Sequence, residues 1–290
     1  MFNTLRQRAL SGVLLAALVL VGLLYLPAVV ILGLLAFACA LALAEFYRLM
    51  EQAALPCFRT TGITIGAILT LWTGGAPLLC TDVFRAWVTA PTLLVVTVLL
   101  RMLASRQPHA PLAAAVTCFG LVYGAVLFCF LPLLILAWGS PQPLAPLNAS
   151  SFWLIFYLVL VVKMTDNGAY VVGSLLGRHK MIPRISPAKT WEGFAGGLFF
   201  GMAFSVLMSV CLGGRLGPIE LPPAQAALLG LVLALAGTAG DLVESQIKRM
   251  AGVKDSSGLL PGIGGLLDVL DSILLAAPVL FLYVWWASGM

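Results

Sequence analysis

The stretch AQAALLGLVLALAGTAGDLVESQIKR, at residues 224–249, decides how this chain folds. Its first part is almost entirely apolar and its last part is charged, which is typical of a membrane-spanning helix that ends at a polar surface. Similar apolar runs recur along all 290 residues, of which 61% are hydrophobic and 9% charged. A soluble domain carries far more charge, and the strands of a membrane barrel alternate in polarity. The sequence therefore predicts an all-α polytopic integral membrane protein.

About nine transmembrane helices are predicted from these runs. They cover residues 9–26, 28–43, 62–79, 86–103, 112–137, 151–176, 190–212, 224–247 and 264–286. The first run follows two arginines, as the apolar part of a signal peptide does. The next run begins almost at once and no convincing cleavage site separates the two, so we expect a retained helical hairpin.

The loop charges predict the orientation of the chain. Thirteen Lys and Arg residues fall on the side of the N-terminus and two, Arg85 and Arg215, on the other, while Lys163 lies within a span. Cytoplasmic loops carry such an excess, so we expect a cytoplasmic N-terminus and an external C-terminus. We further expect the membrane to be a bacterial inner (plasma) membrane. The net charge of +5 follows from these loops and indicates membrane lipids as partners, and no nucleic acid.

The acidic residues predict two functional regions. Eight of the eleven lie beyond residue 145, after an uncharged and proline-rich loop. Charge at the edge of a lipid-solvated helix is costly and marks a pathway or a chemical site. We therefore expect residues 1–145 to form a scaffold of transmembrane helices with a wall for lipid access, and residues 146–290 to form the catalytic region.

The densest charge lies at residues 245–271, between two apolar runs. Cations, carboxylates and glycines occur together there, and these are the groups needed to hold phosphates and a divalent metal ion. The charged residues of this stretch are Lys248, Arg249, Lys254, Asp255, Asp268 and Asp271. The stretch is thus the first candidate for a chemical site.

Three carboxylates are expected at one depth near the cytoplasmic surface. One face of the eighth predicted helix carries Asp241, Glu244, Ser245 and Lys248. A Glu244–Lys248 pair explains part of this face but leaves Asp241 without a partner. Asp268 and Asp271 stand one turn apart on the ninth helix, at a depth comparable with that of Asp241. Such carboxylates hold Mg²⁺, and a second cation would clamp the leaving as well as the attacking oxygen. The alternative is a structural cluster whose charges satisfy one another.

Two upstream elements have both a functional and a structural interpretation. Asp166, late in the sixth predicted helix, is either paired with the lysine three residues earlier or a ligand for a cation or for substrate hydroxyls. Ser186 followed by Pro187 predicts the start of a helix with free N–H groups. Lys189 and Thr190 would then face a phosphate beside those groups. The same basic loop is also compatible with contact to anionic lipid headgroups.

The second half of the chain resembles the phosphatidate cytidylyltransferase (CDP-diacylglycerol synthase) family. The C-terminal motif of that family is matched by Ser245, Lys248, Arg249, Lys254, Asp255, Pro261, Gly262, Gly264, Gly265, Asp268 and Asp271. Its upstream motifs are matched by Asp166, Ala169, Tyr170, Gly173, Gly177, Arg178, Ser186, Pro187, Lys189, Thr190, Trp191, Glu192 and Gly193, and by residues 240–245. Two positions depart from the motif, since Ile263 stands in place of a histidine and Val269 in place of an arginine.

The resemblance implies that CTP and phosphatidate react to give CDP-diacylglycerol and pyrophosphate, and that the reaction requires Mg²⁺. The reaction would take place at the cytoplasmic edge of the membrane, and the protein would be a homodimer. The implied metal ligands are Asp166, Asp241, Asp268 and Asp271. Lys248, Arg249 and Lys254 would neutralise the triphosphate, and Asp255 belongs to the same catalytic set. The implied substrate-binding residues are Asp166, Ser186, Lys189, Thr190, Ser245, Gly264 and Gly265.

Three alternatives stay open. An ion-coupled transporter also combines glycine-interrupted helices with carboxylates, although its site tends towards the midplane and its halves repeat. Another intramembrane transferase, of the CDP-alcohol phosphotransferase or prenyltransferase type, has differently spaced aspartates. An inactive or altered-substrate homologue is compatible with Ile263 and Val269.

Overall fold

The structure is a computed structural model that describes residue 19 and residues 21–79, 83–138, 144–145, 149–259 and 264–289. Within these ranges, six helices are long and apolar enough to cross a membrane. They coincide with six of the predicted runs, which confirms the prediction of a helical polytopic membrane protein. The total of nine spans and the sides of the two termini stay predictions. Most of the first predicted span lies outside the described residues.

The chain forms two compact units, and the first contains Met1–Asn148 and Met250–Val269. Its described helices are α1 (Ala28–Gln52), α2 (Arg59–Gly75), a 3₁₀-helix (Pro77–Leu79), α3 (Val83–Leu103), α4 (Ala110–Gly120), a π-helical segment (Leu121–Val126) and α5 (Phe130–Leu136). α1 packs against α2, and both contact the π-helical segment. The Tyr47 side chain of α1 is fully buried there, and its hydroxyl donates to the Thr117 carbonyl oxygen at 2.9 Å.

The second unit contains Ala149–Arg249 and Leu270–Met290. Its elements are α6 (Ala149–Leu176), β1 (Lys180–Ile182), β2 (Ser186–Thr190), α7 (Trp191–Cys211), β3 (Arg215–Leu216), β4 (Ile219–Glu220) and α8 (Pro223–Met250). α6 packs against α7. The last helix, α9 (Leu266–Ala287), begins with residues of the first unit and continues with residues of the second. The predicted division after residue 145 stays a prediction.

The β1–β2 hairpin corrects one prediction. Lys180 pairs with Thr190 and Ile182 with Ser186 in an antiparallel ladder. The expectation that Ser186 begins a helix is wrong, because this pairing keeps residues 186–190 extended. α7 begins instead at Trp191, after Thr190, whose backbone is extended and whose side-chain oxygen accepts the first hydrogen bond of the helix. The free N–H groups predicted after Ser186 therefore lie after Thr190.

Candidate active site

A cavity of about 540 Å³ lies within the second unit. Its wall comes from α6, the β1–β2 hairpin, α7 and α8. The polar side chains on this wall include Asp166, Lys180, Ser186, Lys189, Thr190 and Asp241, and the apolar ones include Tyr170, Met181 and Phe194. Five of the predicted site residues, from three separate stretches of sequence, are thus brought to one cavity: Asp166, Ser186, Lys189, Thr190 and Asp241. The volume lies within the range of small-molecule sites.

Strand β2 ends with a cationic residue, Lys189, followed by Thr190, which caps helix α7. The Lys189 ammonium lies 2.9 Å from Asp241 Oδ2 of α8. The next residue, Thr190, is buried, and its Oγ1 accepts a hydrogen bond from Gly193 N at 3.1 Å. A capping threonine satisfies one of the N–H groups that the first turn of a helix leaves open. The positive end of α7 and the Lys189 charge therefore both lie on the cavity wall.

Three carboxylates gather beside this cation. One oxygen from each of Asp241, Glu244 and Asp271 lies within 4.8 Å of the other two. Glu244 is fully buried and Asp271 is 7% exposed. Asp241 and Glu244 are one turn apart on α8, so they share a face. The predicted convergence of Asp241 and Asp271 from two helices is present, and Glu244 joins them.

Gly240 explains how α8 and α9 come close enough for this cluster. A Cβ atom at position 240 would lie 2.3 Å from the Asp271 carbonyl oxygen, a distance that real side chains do not reach. Only glycine therefore lets the α9 backbone approach the turn of α8 that carries Asp241. A set of three carboxylate oxygens is the donor set that hard divalent cations such as Mg²⁺ prefer. The residues present thus fit such an ion.

Two carboxylates of the cluster, Asp241 and Glu244, also have cationic or hydroxyl partners. The ammonium of Lys248 pairs with Glu244 one turn earlier, and the Ser245 hydroxyl donates to Asp241 Oδ1 at 3.2 Å. Both contacts agree with the shared face expected for these four residues. The cationic partner of Asp241 is Lys189 of the hairpin, not a residue of its own helix. Its place in the cluster could not be inferred from α8 alone.

The two interpretations of Asp166 turn out to be compatible with each other. Lys163 Nζ lies 3.4 Å from Asp166 Oδ2, which is the intrahelical pair expected from the spacing. Asp166 also lines the cavity. A carboxylate that shares a lysine and still faces a cavity keeps oxygen atoms for a ligand.

Two predicted cationic residues lie at the end of α8 and beyond it. Arg249 Nε donates to the Ile185 carbonyl oxygen at 3.1 Å, which ties the end of α8 to the hairpin turn. Lys254 is exposed in the loop that follows, and so is its neighbour Asp255. These two belong to the first unit. The binding of the triphosphate by Arg249 and Lys254, and the catalytic role of Asp255, stay predictions.

Asp268, Gly264 and Gly265 lie around the start of α9, within the first unit. Asp268 Oδ2 accepts hydrogen bonds from Gly265 N at 2.7 Å and from the Ser256 hydroxyl at 2.9 Å. Gly264 has a φ of +117°, a backbone conformation that residues other than glycine rarely adopt. Asp268 is therefore the capping carboxylate of α9. Its predicted role as a metal ligand stays a prediction.

Sequence reasoning missed two buried carboxylates. Glu244 was assigned only to its pair with Lys248, although its spacing of three from Asp241 was a sufficient signal for a place in the cluster. Glu45, in α1, is 7% exposed and accepts hydrogen bonds from the first two backbone N–H groups of α9. The only sequence signal for Glu45 was an acid at the end of an apolar run, which does not identify its partners.

The sequence profile described as the cytidylyltransferase family matches residues 6–287, nearly the whole chain. The chain belongs to the cytidylyltransferase family. This confirms the resemblance predicted from the motifs. The name of the family describes the transfer of a cytidylyl group.

Several relatives are similar to the chain over part of its length. The phosphatidate cytidylyltransferase of Mycobacterium leprae is 49% identical over 125 residues, which cover 43% of this chain and 38% of that protein. The phosphatidate cytidylyltransferase of Bacillus subtilis is 43% identical over 127 residues, covering 44% of this chain and 45% of that protein. The uncharacterized protein YnbB of Escherichia coli is 39% identical over 148 residues, covering 51% and 47%. Each match thus spans less than half the length of the relative.

Proposed function

We propose that this cytidylyltransferase transfers the cytidylyl group of CTP to phosphatidate and releases pyrophosphate, giving CDP-diacylglycerol. The observation that carries the proposal is the cavity of the second unit, where the Lys189–Asp241 pair adjoins the cluster of Asp241, Glu244 and Asp271. A lysine can bind phosphate oxygens, and carboxylates can bind a divalent cation. The names of the two similar phosphatidate cytidylyltransferases support the choice of lipid substrate.

The chemistry is a displacement at phosphorus. A phosphate oxygen of phosphatidate forms a bond to the α-phosphorus of CTP, and the bond from that phosphorus to the oxygen that bridges to the β-phosphorus breaks. The electron pair of the broken bond leaves with pyrophosphate. A phosphate monoester is mostly ionised at neutral pH, so the nucleophile needs no dedicated base. The protein contributes orientation and stabilisation of charge.

The cavity residues divide this work between them. Lys189 and Lys180 are positioned to neutralise phosphate oxygens, and the N-terminus of α7 beside Thr190 adds its partial positive charge. Ser186 and Asp166 offer polar contacts on the same wall. The family motif further assigns Ser245, Lys248, Arg249, Lys254, Asp255, Gly264 and Gly265 to the catalytic and substrate-binding set. The absence of a histidine at Ile263 is tolerable, because deprotonation of the nucleophile is not required.

Asp241, Glu244 and Asp271 are the residues that would hold Mg²⁺. When bound there, the ion supplies positive charge to the phosphate oxygens and to the leaving group. Asp268 and Asp166 are proposed to assist in cation binding, including that of a second cation. Because the three oxygen atoms of the cluster lie within 4.8 Å of one another, a bound cation also relieves their mutual repulsion.

The proposed location of the reaction is the cytoplasmic side of a bacterial inner membrane. The excess of basic residues in the loops on the N-terminal side supports this orientation, and CTP is a cytosolic nucleotide. The bacterial sources of the similar proteins support the type of membrane. The acyl chains of phosphatidate would stay in the bilayer while its headgroup enters the cavity, and the active form is proposed to be a homodimer.

The test uses CTP labelled at different phosphorus atoms. Purified full-length protein in detergent is given phosphatidate, Mg²⁺ and CTP with radioactive phosphorus at either the α or the γ position. Cytidylyl transfer moves the α label into the organic phase and leaves the γ label in the aqueous phase as pyrophosphate. Transfer of the γ label to lipid would indicate a kinase and would contradict the proposal.

Two controls complete the assay. Diacylglycerol in place of phosphatidate should give no labelled lipid, because it lacks the attacking phosphate. A lack of lipid product from folded protein, across several acyl chains and divalent metals, would favour the inactive homologue. Ile263→His then tests the altered position directly: a gain of activity identifies the histidine as necessary, and an unchanged rate means that the position is permissive.

A further inference from the structure

Glu45 is a buried carboxylate that lies far in sequence from the predicted site. Its Oε1 accepts hydrogen bonds from Ser257 Oγ at 2.7 Å and from Leu266 N at 3.0 Å. Its Oε2 accepts from Leu267 N at 2.8 Å and from Ser256 Oγ at 3.0 Å. All these residues belong to the first unit. Two backbone N–H groups and two serine hydroxyls, one of which is shared with Asp268, therefore converge on one side chain that is 7% exposed.

The two backbone donors are the first residues of α9. The first turn of a helix has N–H groups without an acceptor in the helix itself, and a negative charge there is stabilised by the helix dipole. A buried carboxylate in turn is costly unless donors satisfy it. Glu45 thus caps α9 from 221 residues away in the sequence, and the two groups satisfy each other.

A second carboxylate is linked to Glu45 through Ser256. The Ser256 hydroxyl lies 3.0 Å from Glu45 Oε2 and 2.9 Å from Asp268 Oδ2. Gly265 leaves room for this arrangement, because a Cβ atom there would lie 2.0 Å from Ser256 Oγ and 2.4 Å from Glu45 Oε2. Glu45 and Ser256 therefore pack closely against the start of α9.

We propose that Glu45 is a positioning residue for the reaction proposed above. It fixes the first turn of α9, and α9 carries Asp268 in that turn and Asp271 one turn later. Through this helix, Glu45 sets the position of Asp271, which belongs to the carboxylate cluster proposed to bind a divalent cation. Partners that orient metal ligands are worth about 10–100-fold in metal affinity or activity. The first half of the chain, expected to be a scaffold, thus contributes a residue to the working of the site.

The test compares Glu45→Gln with Glu51→Gln. Both residues lie in α1, but Glu51 is exposed and pairs with Arg59 at 3.1 Å, so it is the matched control. Glutamine has the size of glutamate, but its NH₂ group cannot accept hydrogen bonds from the α9 backbone. We expect the dissociation constant for Mn²⁺, measured by electron paramagnetic resonance without CTP or lipid, to rise about 10–100-fold in Glu45→Gln. It should not change in Glu51→Gln.

Activity provides a second readout that a merely structural role would not move. The Mg²⁺ concentration for half-maximal turnover should rise in Glu45→Gln, and excess Mg²⁺ should restore most of kcat. A fall of kcat with unchanged Mn²⁺ affinity and unchanged half-saturation would overturn the proposal, since loss of folded enzyme alone has that effect. If Glu45→Gln does not fold, Ser257→Ala removes one of the four donors. A smaller rise of the Mn²⁺ dissociation constant supports the role of Glu45, and an unchanged constant overturns it.

The binding measurement separates this inference from the proposed function. If the parent protein binds Mn²⁺ but makes no CDP-diacylglycerol, the proposed reaction fails while the effect of Glu45→Gln on binding still decides the inference. If the parent makes CDP-diacylglycerol but the Glu45→Gln variant binds Mn²⁺ as the parent does, only the inference fails. A parent protein that binds no Mn²⁺ overturns the inference whatever its activity.

Discussion

Two groups of carboxylates in this protein have different kinds of partner. In the second unit, Asp241, Glu244 and Asp271 lie close to one another, and Asp241 and Glu244 each pair with a lysine. In the first unit, Glu45 and Asp268 accept hydrogen bonds from backbone N–H groups and serine hydroxyls. The first group therefore brings carboxylates close to one another, whereas each carboxylate of the second group accepts hydrogen bonds from several backbone and serine donors.

The difference shows which group is suited to a cation. A carboxylate that accepts several hydrogen bonds from neutral donors is stable in place without an ion. In the second unit, three carboxylate oxygens lie within 4.8 Å of one another in a largely buried place, where negative charge is costly unless it is compensated. Acidic residues thus have two arrangements in this protein: the cluster of the second unit is proposed to hold a cation, and Glu45 and Asp268 hold the start of α9.

The sharpest way to break this comparison is Asp241→Asn. This change removes a negative charge that belongs to the cluster and pairs with Lys189. We expect kcat for CDP-diacylglycerol formation to fall about 10²–10³-fold, as it does when a group that stabilises transition-state charge is lost. The measurement is the α-label transfer assay with protein of parental thermal stability. Glu220→Gln, at an exposed position of β4, is the control. Near-parental turnover by Asp241→Asn would remove the cluster from the mechanism.

Lys189→Gln tests whether the ammonium group of Lys189 binds a phosphate group of CTP. A hydrogen bond to a charged group contributes about 1.5–3 kcal/mol, or roughly 10–100-fold in affinity. We expect the KM for CTP to rise by such a factor in steady-state assays, with a smaller change in kcat. Arg215→Gln, in the exposed part of the β3–β4 hairpin, should leave the KM unchanged. An unaltered KM in Lys189→Gln would mean that this lysine serves only Asp241.

Gly240→Ala tests whether the cluster depends on the close approach of α8 and α9. The added methyl group would lie 2.3 Å from the Asp271 carbonyl oxygen, and such overpacking costs about 1–3 kcal/mol. We expect a lower melting temperature in detergent and weaker Mn²⁺ binding. Gly33→Ala, in α1, is the matched control because its Cβ would meet nothing within 4 Å. Equal behaviour of the two variants would contradict the close approach.

The smallest effect is expected from Thr190→Val, which removes the cap of α7 but keeps the shape of the side chain. Loss of a capping hydroxyl costs about 1 kcal/mol, so the melting temperature should decrease slightly. Thr190→Ser keeps the hydroxyl and should behave as the parent does. If Thr190→Ser is as unstable as Thr190→Val, the methyl group of the threonine is more important than its hydrogen bond to Gly193.

The membrane helices were the most predictable part of the fold. The predicted runs at 224–247 and 264–286 correspond to Pro223–Met250 and Leu266–Ala287, because the length of a lipid-spanning helix depends on local composition. The β1–β2 hairpin was not predictable in this way. Ser186 and Pro187 have the local preferences of a helix start, but pairing with residues 180–182 overrides them. Strand pairing depends on neighbours that a local pattern does not contain.

The candidate site was predictable where helical spacing determines it. Asp241 and Asp271 were expected to meet because their depths in two helices agree, and they do. Glu244 was set aside because a lysine four residues later explained it, and its complete burial is not visible in a sequence. Glu45 could not be assigned to α9 at all, since 221 residues separate the partners. Such contacts depend on tertiary packing.

The β1–β2 hairpin also has a consequence for how the length of this segment can change. Lys189 and Thr190 are neighbours in one strand, so their side chains point to opposite faces, one to Asp241 and the other to the start of α7. An insertion or deletion of one residue within Ser186–Thr190 would exchange these faces and separate the cation from its carboxylate. Residues 183–185, between the two strands, can change in number without that exchange. Natural or engineered length variants of the segment should therefore be confined to the turn.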